Sequence, residues 1–270
     1  MKLGISSWTY TWAIGVNDYT PPCPLTPSDL VDKALSLGVS VIQVADNLPL
    51  HSLTSQERRL FAAKAARQGI ELEVGTKGLT IDNIRRYLGI AGELRARLLR
   101  VIIDSAGDEP KPDEIVARLI RLVPELEAAR VTLGIENHDR FRAHDLADIV
   151  RRVDSPHVGI CLDTVNSFGA LEGPEVVVST LAPYVVNLHL KDFAIFRAAQ
   201  MMGFIIQGRP LGQGRTDIPW LLQMLADHGR DVNAIIELWT PDQGAVEDNI
   251  ALEAAWAAAS VAHARRYIAG

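Results

Sequence analysis

Short apolar runs recur along this chain, separated by longer stretches with helical periodicity. Runs at 2–7, 39–45, 70–75, 98–104, 131–136, 157–163, 184–190 and 233–238 predict eight strands. Most starts lie roughly 25–40 residues apart, the spacing of alternating strands and helices, and the last gap is about 50. Helix starts fall between them. Pro27-Ser28-Asp29-Leu30 and Pro112-Asp113-Glu114-Ile115 each open a helix, and Thr216-Asp217-Ile218-Pro219 offers a cap followed by a first-turn proline. The alanine-rich stretch 250–269 predicts a final helix. No linker, low-complexity tract or repeat intervenes. The expected fold is α/β, a single (β/α)8 TIM barrel spanning residues 1–270 as one domain. The alternative, a doubly wound open sheet, would place a glycine-rich phosphate turn after the first strand. That position reads Ser6-Ser7-Trp8-Thr9-Tyr10 instead.

Side chains on a strand alternate between its two faces. In 131–136 one face is Val131, Leu133 and Ile135, and the other is Thr132, Gly134 and Glu136. The same split sets Val158, Ile160 and Leu162 against Gly159, Cys161 and Asp163. It sets Val186, Leu188 and Leu190 against Asn187, His189 and Lys191. In the last run it sets Ala234, Ile236 and Leu238 against Asn233, Ile235 and Glu237. The apolar set would face the helices and the other set the barrel interior. Four consecutive strands thus each bring one residue, Glu136, Asp163, His189 or Glu237, to the C-terminal mouth where barrel enzymes build their sites. A lone buried acid or histidine is usually a hydrogen-bonded core group; four in phase are not. Three converging carboxylates would repel, and a divalent cation relieves that cost. Two Glu, one Asp and one His form a mostly oxygen donor set suited first to Mn²⁺, with Mg²⁺, Co²⁺ or Zn²⁺ also fitting.

Composition narrows the picture without changing it. The chain has 270 residues, 48% hydrophobic and 22% charged, and a net charge of -6, which argues against nucleic acid as its main partner. Cys23 and Cys161 are its two cysteines and lack a paired spacing, so neither a disulfide framework nor a cysteine zinc site is expected. There is no long apolar run, so a cytoplasmic protein with reduced thiols and no membrane partner is expected.

Residues 134–138 (GIENH), 159–167 (GICLDTVNS), 181–192 (LAPYVVNLHLKD), 210–219 (PLGQGRTDIP) and 235–239 (IIELW) carry a family resemblance. The chain resembles the sugar phosphate isomerase/epimerase family of xylose isomerase-like barrels, with D-tagatose 3-epimerase-like enzymes among its relatives. The resemblance implies one divalent metal on Glu136, Asp163, His189 and Glu237. It also implies that Glu136 and Glu237 double as catalytic proton-transfer groups, and that the chain is a homodimer or homotetramer. The reaction expected is isomerisation or epimerisation of a sugar, sugar phosphate or keto-sugar derivative through a metal-stabilised enediolate. A lyase, dehydratase or decarboxylase, acting on an oxo-sugar acid is the runner-up. A DNA-repair nuclease of the same barrel type would need more histidines and a basic surface.

The substrate shell departs from the resemblance. Where the epimerases place a substrate glutamate, six residues after the first metal glutamate, this chain has Arg142; where they place a histidine, three after the metal aspartate, it has Asn166. Their substrate arginine follows the metal histidine by six residues, whereas the nearest candidate here, Arg197, follows by eight. Asn166, Lys191, Arg197 and, within GIENH, His138 are therefore expected in the substrate pocket. Lys191, Arg197, Arg209 and Arg215 are candidates for a phosphate or carboxylate. Trp8, Tyr10, Trp12 and Tyr19, clustered after the first strand, are expected to form an aromatic rim against sugar C–H faces, with Trp8 and Tyr10 as contacts. The apolar run Met201-Met202-Gly203-Phe204-Ile205-Ile206 is read as a loop that closes over substrate or meets a second subunit.

Overall fold

A computed structural model describes residues 1–16 and 19–268. Strands β1 (Leu3–Ser6), β2 (Val41–Val44), β3 (Glu71–Lys77), β4 (Leu98–Ile102), β5 (Thr132–Glu136), β6 (Val158–Asp163), β7 (Val185–Leu190) and β10 (Ala234–Ile236) form a closed parallel barrel. Closure is the pairing of first strand with last, Leu3↔Ala234, Gly4↔Ile235 and Ile5↔Ile236, which excludes the open sheet. Helices α2 (Pro27–Leu37), α3 (Ser55–Arg67), α4 (Ile81–Leu94), α5 (Pro112–Ala129), α6 (Ala143–Val153), α7 (Pro174–Leu181), α8 (Ile218–Asp227) and α9 (Val246–Ala264) surround it, with a short α1 (Thr11–Ile14) on the loop after β1.

The expected start signals are used. Pro27 and Pro112 sit in the first turns of α2 and α5, and the Asp217 carboxylate caps α8 by accepting from Trp220 N at 3.0 Å. The last helix begins at Val246, ahead of the alanine-rich stretch, and ends at Ala264. Tertiary contact ends it: Arg265 donates to the carbonyl oxygens of Leu37 and Gly38 at 2.5 and 2.8 Å. Ala269 lies outside the described residues.

The alternation holds. Leu133, Ile135, Ile160, Leu162, Leu188, Leu190 and Ile236 are buried in the layer between barrel and helices. Inside the barrel glycines make room for long polar chains; Gly134, next to Arg100 in register, would bring an added Cβ within 3.3 Å of Cys161 Cβ.

The connection after β7 is not a loop. It is an antiparallel hairpin of β8 (Asp192–Arg197) and β9 (Phe204–Arg209), paired from Asp192↔Arg209 to Arg197↔Phe204. Asp192 ties its base to the barrel. Its Oδ1 accepts from Phe193 N and Thr216 N at 2.8 and 2.9 Å, and its Oδ2 from Gly212 N and Gly214 N, both at 2.9 Å. A Cβ on Gly214 would sit 2.2 Å from Asp192 Oδ1, which accounts for the glycine in the 210–219 motif.

Glu253 of α9 anchors the loop after β1. Its buried carboxyl accepts from Trp12 N at 2.8 Å and Ala13 N at 2.7 Å, satisfying two first-turn donors of α1. Burial pushes that carboxyl from 4.5 up to about 7, against the pull of those two N–H groups. The folded protein therefore holds a proton that the unfolded chain has released. Stability should fall by about 3 kcal/mol as pH rises from about 4.5 through about 7, then level off. Denaturant midpoints measured across that range should show the slope, and Glu253→Gln should flatten it.

Candidate metal centre and substrate cleft

Glu136 ends β5, Asp163 ends β6, His189 lies in β7 and Glu237 follows β10, so four neighbouring strands deliver them to one mouth. All four are buried. Asp163 and Glu237 each have one oxygen committed to hydrogen bonds, and Glu136 has both. Asp163 Oδ1 accepts from Val165 N and Asn166 N, both at 2.8 Å, and Glu237 Oε1 accepts from Ser6 Oγ at 2.7 Å. Glu136 Oε1 accepts from Asn166 Nδ2 at 2.6 Å.

The second atoms turn inward. His189 Nδ1 lies 3.4 Å from Glu237 Oε2, 3.5 Å from Glu136 Oε2 and 3.8 Å from Asp163 Oδ2. Asp163 Oδ2, His189 Nδ1 and Glu237 Oε2 are buried and have no hydrogen-bond partner. Buried polar atoms are rarely left so. Two carboxylate oxygens and an imidazole nitrogen converging without an aligned hydrogen bond fit a hard divalent cation. Ligand atoms of Asp163, His189 and Glu237 lie within 4.8 Å of one another, and Glu136 is grouped instead with Cys161 and His189. The residues thus fit the metal expected from the sequence, with Glu136 set slightly apart.

Arg100, mid-strand in β4, is what holds Glu136 apart. Its Nε donates to Glu136 Oε2, and its Nη1 to Asp46 Oδ1 at 2.5 Å. The sequence reading missed it, although one arginine in the otherwise apolar run 98–102 was the signal. At 2% exposure it is among the largest fully buried side chains. Lys191 is the second buried cation. Its Nζ lies 2.7 Å from Asp163 Oδ2 and 2.9 Å from Glu237 Oε2, ion pairs without hydrogen-bond alignment, and 3.4 Å from Asn166 Oδ1. Burial alone would lower the ammonium pKa, but Asp163 and Glu237 outweigh it and hold Lys191 above its usual value. The reverse applies to Asp163 and Glu237: burial raises them, and their cationic neighbours hold both below the usual carboxylate range. For His189 burial opposes charge, but the facing carboxylates win and raise its pKa well above 6.5. The donor set therefore draws positive charge from wherever it can.

Above the centre opens a 460 Å³ cleft lined by Trp8, Thr11, Trp12, Val16, Lys191, Ile206, Gln207, Gly208, Leu238, Trp239 and Thr240. Trp8 and Trp12 form one wall, as the clustered aromatics suggested. The Trp8 indole also reaches Asp46 Oδ1 at 3.4 Å. The opposite wall comes from β9 and the segment after β10. Ile206 of the apolar run lines it, while Met201, Met202 and Phe204 at the hairpin tip are exposed.

Asn166 and Lys191 join the site. Two other expected contacts, Tyr10 and Arg197, do not. Tyr10 is buried in the core, with Lys33 Nζ 5.2 Å from its ring centroid, because the 3-10 turn after β1 directs it away from the mouth. Arg197 sits exposed at the far end of β8, its guanidinium 4.3 Å from the Phe204 ring, because the connection is a hairpin. His138 is half-exposed and paired with Asp139 at 3.1 Å. Arg142 is exposed as the N-cap of α6, Arg209 stays with Gln207 Oε1 at 2.8 Å, and Arg215 lines a separate cavity.

A closed barrel whose mouth carries this donor set defines a class, and the chain belongs to it: residues 31–260 match the model of the xylose isomerase-like TIM barrel family. The chain is 36% identical over 256 residues to 3-oxo-isoapionate decarboxylase of Pectobacterium atrosepticum, covering 95% of this chain and 92% of that one. Its fold is also that of D-psicose 3-epimerase from Clostridium cellulolyticum H10 (TM-score 0.71, 20% identity, 98% and 99% of the two chains). A xylose isomerase-like TIM barrel protein from Mycobacterium smegmatis, solved in complex with magnesium, gives a TM-score of 0.68 at 14% identity over 96% and 97% of the chains. Among the described residues no helix is long and apolar enough to cross a membrane.

Arg100→Met would leave Glu136 and Asp46 without their buried counter-charge. It should destabilise the metal-free protein by about 3–5 kcal/mol, read as a shift in denaturation midpoint.

Proposed function

We propose that this chain is a divalent-metal-dependent lyase that decarboxylates a 3-oxo sugar acid. The observation that carries this reading is the pair of buried cations among the donor carboxylates. Glu136, Asp163, Glu237 and Asp46 with one divalent ion would sum to -2 and repel an anionic substrate; Lys191 and Arg100 bring that sum to zero. A neutral ketose needs no such correction. The 36%-identical relative is a decarboxylase of a 3-oxo acid by name, which supports the same reading. The changed substrate shell, Asn166 and Arg142 where the epimerases carry histidine and glutamate, supports it too.

Asp163, His189, Glu237 and Glu136 would hold the ion, with Mn²⁺ and Mg²⁺ the ions best matched to the oxygen-rich set. Bound there, it would supply Lewis acidity at a substrate oxygen. The chain's own groups do the rest. Lys191 Nζ, at the cleft floor, stabilises negative charge developing on the 3-oxo oxygen. The bond between C2 and the carboxylate carbon breaks, its electron pair forms the enolate, and CO₂ leaves. A proton then adds at C2. Its source is the Lys191 ammonium, restored from solvent, and Glu237 is the better-placed relay, since its ionised Oε2 lies 2.9 Å from Lys191 at the floor, whereas Glu136 is pinned by Arg100. Trp8, Trp12, Leu238 and Trp239 keep water from the carboxylate, which favours its loss.

The second reading is isomerisation or epimerisation, favoured by two glutamates, Glu136 and Glu237, reaching the centre from different strands. Product mass separates the two. Metal-loaded protein in D₂O should convert 3-oxo sugar acids, 3-oxo-isoapionate first, to CO₂ and a ketose with one new deuteron at the former C2. Glu237→Gln should lower turnover by roughly 10²–10⁴-fold. An equal-mass product would instead establish the second reading, and no reaction with any 3-oxo acid would refute decarboxylation.

Metal binding is testable apart from turnover. Mn²⁺ at 100 times its Kd should stabilise the wild type by about 2.7 kcal/mol, and Asp163→Ala should abolish that gain in a thermal melt.

A further inference from the structure

The barrel interior beneath the metal centre holds a buried acid that the proposed chemistry does not use. Glu73 of β3 is 3% exposed, and three amides converge on it. Gln43 Nε2 donates to its Oε2 at 2.9 Å, Asn187 Nδ2 to its Oε1 and Oε2 at 3.2 and 3.0 Å, and Asn233 Nδ2 to its Oε1 at 2.8 Å. Gln43 Nε2 also donates to Asn187 Oδ1 at 3.0 Å. Both hydrogens of that amide are thereby spent on acceptors. Its carbonyl oxygen must then point the opposite way, where it lies 2.8 Å from His189 Nε2. Gln43 and His189 belong to strands on different sides of the barrel, so the contact crosses its axis.

We infer that Glu73 and Gln43 are positioning residues that set the tautomer of His189. Gln43 Oε1 can only accept, so Nε2 always carries a ring proton, and when a cation replaces the second proton Nδ1 presents its lone pair toward Asp163, Glu237 and Glu136. A reversed amide would donate to Nε2, force the proton onto Nδ1 and block the ligand. Glu73, with the Asn187 carbonyl, prevents that reversal. A solvated imidazole would sample both tautomers and turn about its bond to Cβ; here a carboxylate one residue removed fixes both. The inference rests on the metal-centre reading above and is independent of which reaction the centre performs.

The test uses full-length protein labelled with ¹⁵N-histidine and loaded with diamagnetic Zn²⁺ or Mg²⁺, together with Mn²⁺ titrations by calorimetry. Wild-type His189 should show a proton on Nε2 and none on Nδ1. Gln43→Met, close in volume but without the acceptor, should weaken Mn²⁺ binding by roughly 10–100-fold. Glu73→Gln, which leaves Gln43 in place but lets its amide reverse, should weaken Mn²⁺ binding in the same direction. Mn²⁺ binding within twofold of wild type in both folded variants would overturn the inference. So would a proton on Nδ1 in the loaded wild type, a result that needs no variant to fold. A wild type that binds no divalent ion would instead overturn the metal-centre reading itself.

Discussion

Everything at the mouth of this barrel follows from the need to neutralise carboxylates buried together. Glu136, Asp163 and Glu237 point inward within a few ångströms of His189, at positions with almost no access to water. Burial works against every charge there, yet Asp163 and Glu237 are held below the ordinary carboxylate range. Cationic neighbours alone make that possible. Lys191 and Arg100 supply part of the compensation and His189 another part, and Asp163 Oδ2 and Glu237 Oε2, which lack an aligned hydrogen bond, are the atoms that would turn to a bound cation.

That electrostatic core is braced by the rest of the fold. Asn166 links Glu136 to the Lys191 ammonium, and Asn137 fastens the backbone of Asp163 through Asp163 N at 2.7 Å and Asp163 O at 2.9 Å. Thr164 and Thr216 fix the Lys191 carbonyl at 2.8 and 2.9 Å. Asp192, next in sequence, secures the hairpin that forms one wall of the cleft. One short segment therefore supplies a cation to the centre and a base for the wall above it. The family frame fits many sugar reactions. The reading of an anionic substrate proposed above rests on the two cations, Lys191 and Arg100, buried among these carboxylates.

Much of this was legible in the sequence, and the reasons are local. The period-two alternation placed Glu136, Asp163, His189 and Glu237 on the inner face because register in a barrel strand is set by which residues must be buried against helices. Asn166 and Lys191 were legible because they sit close in sequence to those ligands. Tyr10 and Arg197 were misplaced because each lies in a connection, where direction depends on the turn. A 3-10 turn sends Tyr10 into the core, and hairpin formation carries Arg197 away from the mouth.

The strand pattern, the helix caps and the inward-facing donors are therefore properties of this sequence by itself, since each arises from periodicity or from contacts within a few residues. The roles of Arg100, Gln43, Glu73 and Trp239 were decided only in three dimensions. Arg100 meets Glu136 across 36 residues, and Gln43 meets His189 across 146. The first contact needs β4 and β5 to pair, and the second exists only once the last strand has closed on the first. Barrel closure brings residues from distant strands into one dry interior, where each polar atom must find a partner or a ligand.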